Sequence, residues 1–340
     1  MNSTQVAVDV AKSVFQLAVS QAPGRVHEQH RLSRTGFRRY FAEHEPVDVL
    51  MEACGSAHHW GRELEAMGHR VSLLPPTDVS RYRDGSKTDR ADAKALLEAA
   101  RNQAIDRVPV KSIDQQAVTA LHRLRSGCLA TRTARINAVR GHLREFGVSI
   151  PLGASRVIPH ARAALEDGVV PDYLRHALTQ ALEEIQLLEA RAESIRRELA
   201  RLASHMPDAK HLMTVPGIGV LTATALVAFV GHPGRFRSGR RFAAYLGLTP
   251  REHSSGRSRR LGRITKHGNS YLRMLLIHGA RSALRAGQVT KTPDDLRRWA
   301  LELQRTKGYN VAAVALANKL ARICWRVWLD QRPFESRTAA

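Results

Sequence analysis

Four carboxylates in the first third of this 340-residue chain stand where an acid can do chemistry. Asp9 lies inside the apolar run Val6-Ala7-Val8-Asp9-Val10, where a charge is costly unless it is paired or metal-bound. Glu52 follows directly on the apolar run Val47 to Met51. Asp89 and Asp92, in Lys87-Thr88-Asp89-Arg90-Ala91-Asp92, are three apart at a helix start and share a face. One strand acid, one strand-end acid and such a pair can converge on two divalent ions about 4 Å apart, the arrangement of two-metal phosphodiester chemistry. Hard oxygen donors select Mg²⁺ or Mn²⁺. Plainer readings stand beside this one. Asp89 and Asp92 can complement a helix dipole, and Glu52 can be a solvated strand end. Neither explains Asp9.

A second group lies in the last third. Val215-Pro216-Gly217-Ile218-Gly219, followed by Ala223 and Leu226, fits a helix–hairpin–helix element. There Gly217 and Gly219 would let backbone N–H groups approach a phosphate, and the next helix N-terminus would add its dipole. The same residues also suit a plain tight turn between core helices. Downstream, Arg251-Glu252-His253-Ser254-Ser255-Gly256-Arg257 runs on to Arg259, Arg260, Arg263 and Lys266. So basic a loop is a phosphate-binding surface. A serine within it can act as a nucleophile, with the surrounding cations stabilising an alkoxide and a phosphoryl transition state. Attack on DNA would store the phosphodiester bond as a phosphoserine ester and allow rejoining without ATP. Serine beside glycine is also ordinary in flexible loops.

The elements that must position these groups differ along the chain. Residues 1–110 read as α/β: strands at Gln5–Val10, Val14–Val19, Val26–Leu32, Val47–Met51 and His69–Leu74, with helices at His58–Met67 and Asp89–Arg101. Residues 111–207 read as long helices. One runs from a Ser112/Gln115 capping box to about Phe146, Pro151 and Pro159 break the chain, and a second covers Tyr173–His205. Leu178, Leu182, Ile185, Leu188, Ile195, Leu199 and Leu202 form its apolar stripe, which suits either a coiled-coil arm or antiparallel packing on the previous helix. Residues 208–340 read as mainly helical, with a glycine- and arginine-rich insertion and a closing helix at Tyr309–Leu329 whose Trp325 and Trp328 belong to the core.

Charge follows the same division. The net charge of +22 separates into +1 for residues 1–110, +4 for 111–207 and +17 for 208–340. A polyanion is the default partner, and a generic metabolic role is disfavoured. Val220–Val230, the longest apolar stretch, is too short to span a bilayer, and Met1-Asn2-Ser3-Thr4 opens no export signal. Cys54, Cys128 and Cys324 are too few and scattered for a disulfide framework or zinc site. A soluble cytoplasmic protein is expected.

Taken in order, these motifs resemble the DEDD transposases of bacterial insertion sequences, the one-ten family that includes the Piv-like invertases. The carriers are Val8-Asp9-Val10-Ala11-Lys12, Met51-Glu52-Ala53-Cys54-Gly55, Lys87 to Ala93, Val215 to Gly219, Phe242-Ala243-Ala244-Tyr245-Leu246-Gly247-Leu248, Ser255-Gly256 and Gly262 to Arg273 with Ile264-Thr265-Lys266-His267-Gly268-Asn269. The resemblance implies a RuvC-like, RNase H-type domain over 1–110 whose metal-binding acids are Asp9, Glu52, Asp89 and Asp92. It implies a coiled-coil linker over 111–207. It also implies a basic transposase domain over 208–340 in which Ser255, selected over Ser254 by the Ser-Gly match, attacks DNA. Dimers or tetramers that combine acids of one protomer with the serine of another are implied, as is a guide RNA encoded beside the element. The expected place of action is the bacterial nucleoid. Two alternatives remain: a junction-resolving nuclease that uses the same acids with water as nucleophile, and a helical architectural protein that binds DNA or RNA without cleaving it.

Overall fold

The computed structural model describes residues 4–22, 25–83, 88–256 and 258–335, the side chains of Asp89 and Arg90 aside. The chain divides into two compact units, residues 1–116 with 230–242, and residues 117–229 with 243–340.

The first unit is built on β1 (Gln5–Val10), β2 (Val14–Ser20), β3 (Glu28–Ser33), α1 (Arg34–Ala42), β4 (Asp48–Glu52), α2 (Ala57–Ala66), β5 (Arg70–Leu74), the short α3 (Pro76–Val79) and α4 (Asp89–Arg101). The sheet order is β3-β2-β1-β4-β5. β1, β2 and β3 are antiparallel neighbours, whereas β4 runs parallel to β1, and β5 to β4. Alternation along each strand sends side chains to two faces. One buries Val6, Val8, Phe15, Leu17, Val49 and Met51 against Phe37 and Phe41 of α1 and Trp60 and Leu64 of α2. The other buries Ala7, Ala18 and Leu50 against Ala93, Leu96, Ala99 and Ala100 of α4. Burial on both faces makes β1 and β4 read as near-continuous apolar runs, which is why an acid stands out in them. The α/β reading therefore holds for this unit. Helix α1 has no counterpart in the sequence reading: its large apolar positions are only Phe37, Tyr40 and Phe41, and its start is set by Ser33, whose hydroxyl accepts from the Gly36 amide.

Helix α5 (Ile113–Glu145) opens on the expected capping box. Ser112 Oγ accepts from the Gln115 amide at 3.1 Å and Gln115 Oε1 accepts from the Ser112 amide at 3.1 Å. In the second unit, α6 (Val157–Glu166) and α7 (Asp172–Ala203) fold back on it. Pro159 does not break the chain: it sits in the first turn of α6, where no backbone N–H is required. Leu178, Leu182 and Ile185 of α7 share one core with Ile136, Val139 and Leu143 of α5 and with α6. Arg132 pairs with Glu189 and Arg135 with Glu184, a descending register that makes α5 and α7 antiparallel. Of the two uses open to the α7 stripe, packing within the chain is the one seen.

The remainder of this unit is mainly helical. After α8 (Pro207–Met213) comes α9 (Val220–Val230), an almost wholly buried apolar helix. Then follow α10 (Gly239–Tyr245), which starts in the first unit, the hairpin β6 (Pro250–Glu252) and β7 (Leu261–Ile264), α11 (Ser270–Val289), α12 (Asp295–Lys307) and α13 (Tyr309–Asp330). The hairpin was hidden in the arginine-rich insertion. Trp328 is fully buried, as expected, and Trp325 is half-buried. Among the described residues no helix is long and apolar enough to cross a membrane.

Candidate functional site

The parallel pairing of β1 with β4 runs from Gln5 opposite Asp48 to Val8 opposite Met51. Asp9 and Glu52 are the next residue on each strand, so the two acids leave neighbouring strands at the same end. Both follow residues of opposite facing and share the parity of Ala7 and Leu50, which places them on the α4 face. Each is half-buried. Their fields meet at Cys54: burial pushes its thiol pKa up, and the Glu52 and then the Asp9 carboxylate push it further. The turn after β4 holds Ser56 at φ 66°, a left-handed conformation costly for a residue with a Cβ.

Helix α4 covers this same face of the sheet. Thr88 Oγ1 caps it by accepting from the Ala91 amide at 3.2 Å. Positions 89, 92, 93, 96 and 100 form one helical stripe, of which Ala93, Leu96 and Ala100 are packed on the sheet. Asp92 is half-buried and paired with the Arg83 guanidinium. The Asp89 side chain lies outside the described residues. Among those described, no cluster of three or more His, Cys, Asp or Glu side chains is close enough to hold a metal ion. Asp9 and Glu52 are thus brought to one strand end, and Asp92 is engaged by a cation that the sequence reading did not assign to it.

The serine lies at the tip of the β6–β7 hairpin. The His253 amide donates to Arg260 O, and Ser255 and Ser258 exchange backbone hydrogen bonds of 3.1 and 3.0 Å. This closes a tight turn in which Gly256 takes φ 54°. Ser254 Oγ donates to Glu252 Oε1 at 2.7 Å and accepts from the Arg260 amide at 3.3 Å. Glu252 also lies 3.6 Å from Arg259. Ser255 is exposed. Arg257 lies outside the described residues; Arg259, Arg260, Arg263 and Lys266 are exposed. Sequence reading missed Glu252 as the partner of Ser254, although it is the single acid among eleven basic residues between positions 235 and 273.

Glycines anchor this hairpin by close backbone approach. A Cβ on Gly247 would collide with the backbone of His267, and one on Gly268 with the Tyr245 carbonyl. Arg273 ties the same turns together by donating to Leu246 O and His267 O, each at 3.1 Å. In the Pro-Gly-Ile-Gly turn between α8 and α9, Gly217 (φ 82°) packs against the Gly279 backbone of α11, whereas Gly219 is exposed with open space around it.

A family model for DEDD-type IS110 transposases matches residues 6–148, and one described as the transposase IS116/IS110/IS902 family matches residues 209–294. A "probable family 20 transposase" of Pseudomonas aeruginosa is 42% identical over 328 residues, covering 96% of each chain. The chain belongs to the IS110 family of transposases. The transposase for insertion sequence element IS1111A of Coxiella burnetii is 37% identical, over 97% of this chain and 90% of its own. A pilin gene-inverting protein of Moraxella bovis is 26% identical over 99% of both chains. The transposase is accordingly a DNA recombinase, an enzyme that acts on DNA.

Proposed function

We propose that the transposase cuts and rejoins DNA by combining a metal-dependent carboxylate centre with a serine nucleophile. Asp9, Glu52, Asp89 and Asp92 would hold Mg²⁺ or Mn²⁺, and Ser255 would supply the attacking oxygen. The observation that carries this reading is the emergence of Asp9 and Glu52 from adjacent parallel strands on the face that α4 covers. Their donor set fits a hard divalent cation, since both are carboxylates and each is half-buried. When bound, such an ion polarises the scissile phosphate and neutralises its charge. Asp92 would join the site by exchanging its Arg83 partner.

Attack of Ser255 Oγ on phosphorus transfers the phosphodiester to the serine and releases a deoxyribose hydroxyl; the reverse step rejoins a strand with no external energy source. Exposure at a hairpin tip supports Ser255 in this role, because a bulky DNA backbone must reach the oxygen. Arg257, Arg259, Arg260, Arg263 and Lys266 would hold the phosphates, and Gly219, at the α9 N-terminus, would add backbone contacts alongside Gly217.

The mixed sheet and the placement of its acids support a RuvC-like function for residues 1–110. Residues 111–207 would act as the helical linker and 208–340 as the basic transposase domain with a helix–hairpin–helix element. A guide RNA, a dimer or tetramer in which the serine of one protomer serves the acids of another, and action on the bacterial nucleoid complete the reading. The test is to incubate protein, candidate element ends and co-purifying RNA with Mg²⁺. A covalent serine–DNA adduct is expected. Metal-dependent cleavage without an adduct would instead assign attack to water, and binding without cleavage would leave an architectural role.

A further inference from the structure

A cleft of about 1240 Å³ opens within the second unit, between the root of the β6–β7 hairpin and helices α11, α12 and α13. Helix α13 has two faces. Ala312, Ala313, Leu316, Ala317, Leu320 and Cys324 are buried, while Val311, Val314, Ala315, Asn318, Lys319 and Arg322, at three- and four-residue steps, line the cleft. The floor is apolar, and Val311 remains 54% exposed on it. The polar wall is of one sign: Arg263, Lys266, Arg281, Lys319 and Arg322 line the cleft, and among the described residues no carboxylate does. Trp299, 38% exposed, adds an aromatic surface whose ring centre lies 4.2 Å from Lys319 Nζ. Arg281 donates to Asn310 Oδ1 at 3.4 Å.

We infer that this cleft binds unpaired nucleotides of a nucleic-acid strand. Duplex DNA presents phosphates and sugars to a surface and would use the cations but not the apolar floor. An unstacked base has apolar faces for the floor and Trp299, an edge for the amides of Asn310 and Asn318, and a phosphate for the cations. The occupant is therefore the combination of base and phosphate, whether from a melted DNA end or from RNA. Arg263 and Ile264 of β7 form part of the wall, so a strand held here lies against the root of the hairpin that carries Ser255. The inference rests on the second unit as the nucleic-acid-binding part of the proposed function, and on neither the metal nor the serine.

The test measures binding of labelled single-stranded DNA, single-stranded RNA and duplex DNA of equal length to the full chain, by fluorescence anisotropy across a salt series. Trp299→Ala should weaken single-strand binding about tenfold, leave duplex binding nearly unchanged, and be largely rescued in Trp299→Phe. The double variant Lys319→Ala/Arg322→Ala should lower the single-strand salt slope by about one to two. A larger loss on RNA than on DNA assigns the occupant to RNA, and the converse to DNA. Photocrosslinking of a thio-substituted strand should label α12 or α13 in the wild-type protein. Equal losses on single strands and duplex, no loss in Trp299→Ala, or crosslinks confined elsewhere would overturn the inference. If the wild-type protein cleaves element ends while Trp299→Ala binds strands normally, only the cleft reading fails; if it binds no nucleic acid, the functional reading fails with it.

Discussion

Ser254 Oγ donates a 2.7 Å hydrogen bond to Glu252 Oε1, whereas Ser255, its neighbour at the hairpin tip, is exposed beside Gly256. The two serines are thus chemically unequal although adjacent. A hydroxyl committed to Glu252 and to the Arg260 amide shapes the hairpin; one standing at the turn can meet a phosphate. Ser255→Ala should abolish the covalent protein–DNA adduct while leaving DNA affinity within about twofold. Ser254→Ala should retain the adduct at a reduced rate, the loss of one exposed hydrogen bond being worth about 1 kcal/mol. Denaturing electrophoresis of labelled DNA reads both. An adduct that survives in Ser255→Ala and vanishes in Ser254→Ala would reverse the assignment.

Two acids on adjacent strands repel each other in a half-buried setting, and a divalent ion relieves that repulsion. Added Mg²⁺ or Mn²⁺ should therefore raise the melting temperature of the wild-type protein, since a ligand at about 100 times its Kd stabilises by about 2.7 kcal/mol. Asp9→Asn and Glu52→Gln should each remove the metal-dependent rise together with strand cleavage. Calorimetry with and without metal checks the first and a cleavage assay the second. An undiminished rise in Asp9→Asn would place the metal elsewhere.

The ion pair between Arg83 and Asp92 engages one of the carboxylates proposed to hold the metal. Arg83→Gln should lower the Mg²⁺ concentration that gives half-maximal cleavage, by severalfold. A raised requirement would show instead that Arg83 orients the acid.

The His122 imidazole is wholly buried and makes contacts of 2.9 Å with Tyr271 Oη and 3.0 Å with Thr224 Oγ1. Thr224 donates its own proton to Val220 O, so Nε2 of His122 is the donor and Nδ1 accepts from Tyr271. Burial, with Arg125 adding repulsion, lowers its pKa to about 4 from 6.5. The unfolded chain binds this proton more readily, so the stability is fully present above pH 6.5 and is lost as the pH falls toward 4. The loss is on the order of 3 kcal/mol. His122→Gln should flatten the pH dependence of urea denaturation across that window. An unchanged slope would assign the acid sensitivity to other groups.

What the sequence made legible follows from what carries a local signal. Asp9 and Glu52 announce themselves because β1 and β4 are buried on both faces, so any charge interrupts an apolar run. The Ser112/Gln115 box is local chemistry and was readable at once; the Thr88 cap is equally local but was passed over for the acids that follow it. The partners were not. Arg83 with Asp92, and Glu252 with Ser254, depend on turns whose conformation no periodicity reports. The cleft cations Arg281, Lys319 and Arg322 come from two helices whose juxtaposition is a tertiary fact. Regular spacing of Val311, Val314, Asn318 and Arg322 on α13 was the one signal that could have marked its second face.

The two glycines of the α8–α9 turn separate folding from binding. Gly217 has φ 82°, and a Cβ there would strike the Gly279 carbonyl; Gly217→Ala combines a strained backbone with a steric clash and should cost several kcal/mol. Gly219 lies in open space with no positive φ, so Gly219→Ala should leave the melting temperature within a few degrees. If the amides at the α9 N-terminus approach a phosphate, the added methyl group should still weaken DNA binding by several fold, seen as a lower affinity at constant salt. Normal binding by a stable Gly219→Ala protein would make this turn a packing device, with Gly217 and Gly279 as its contact.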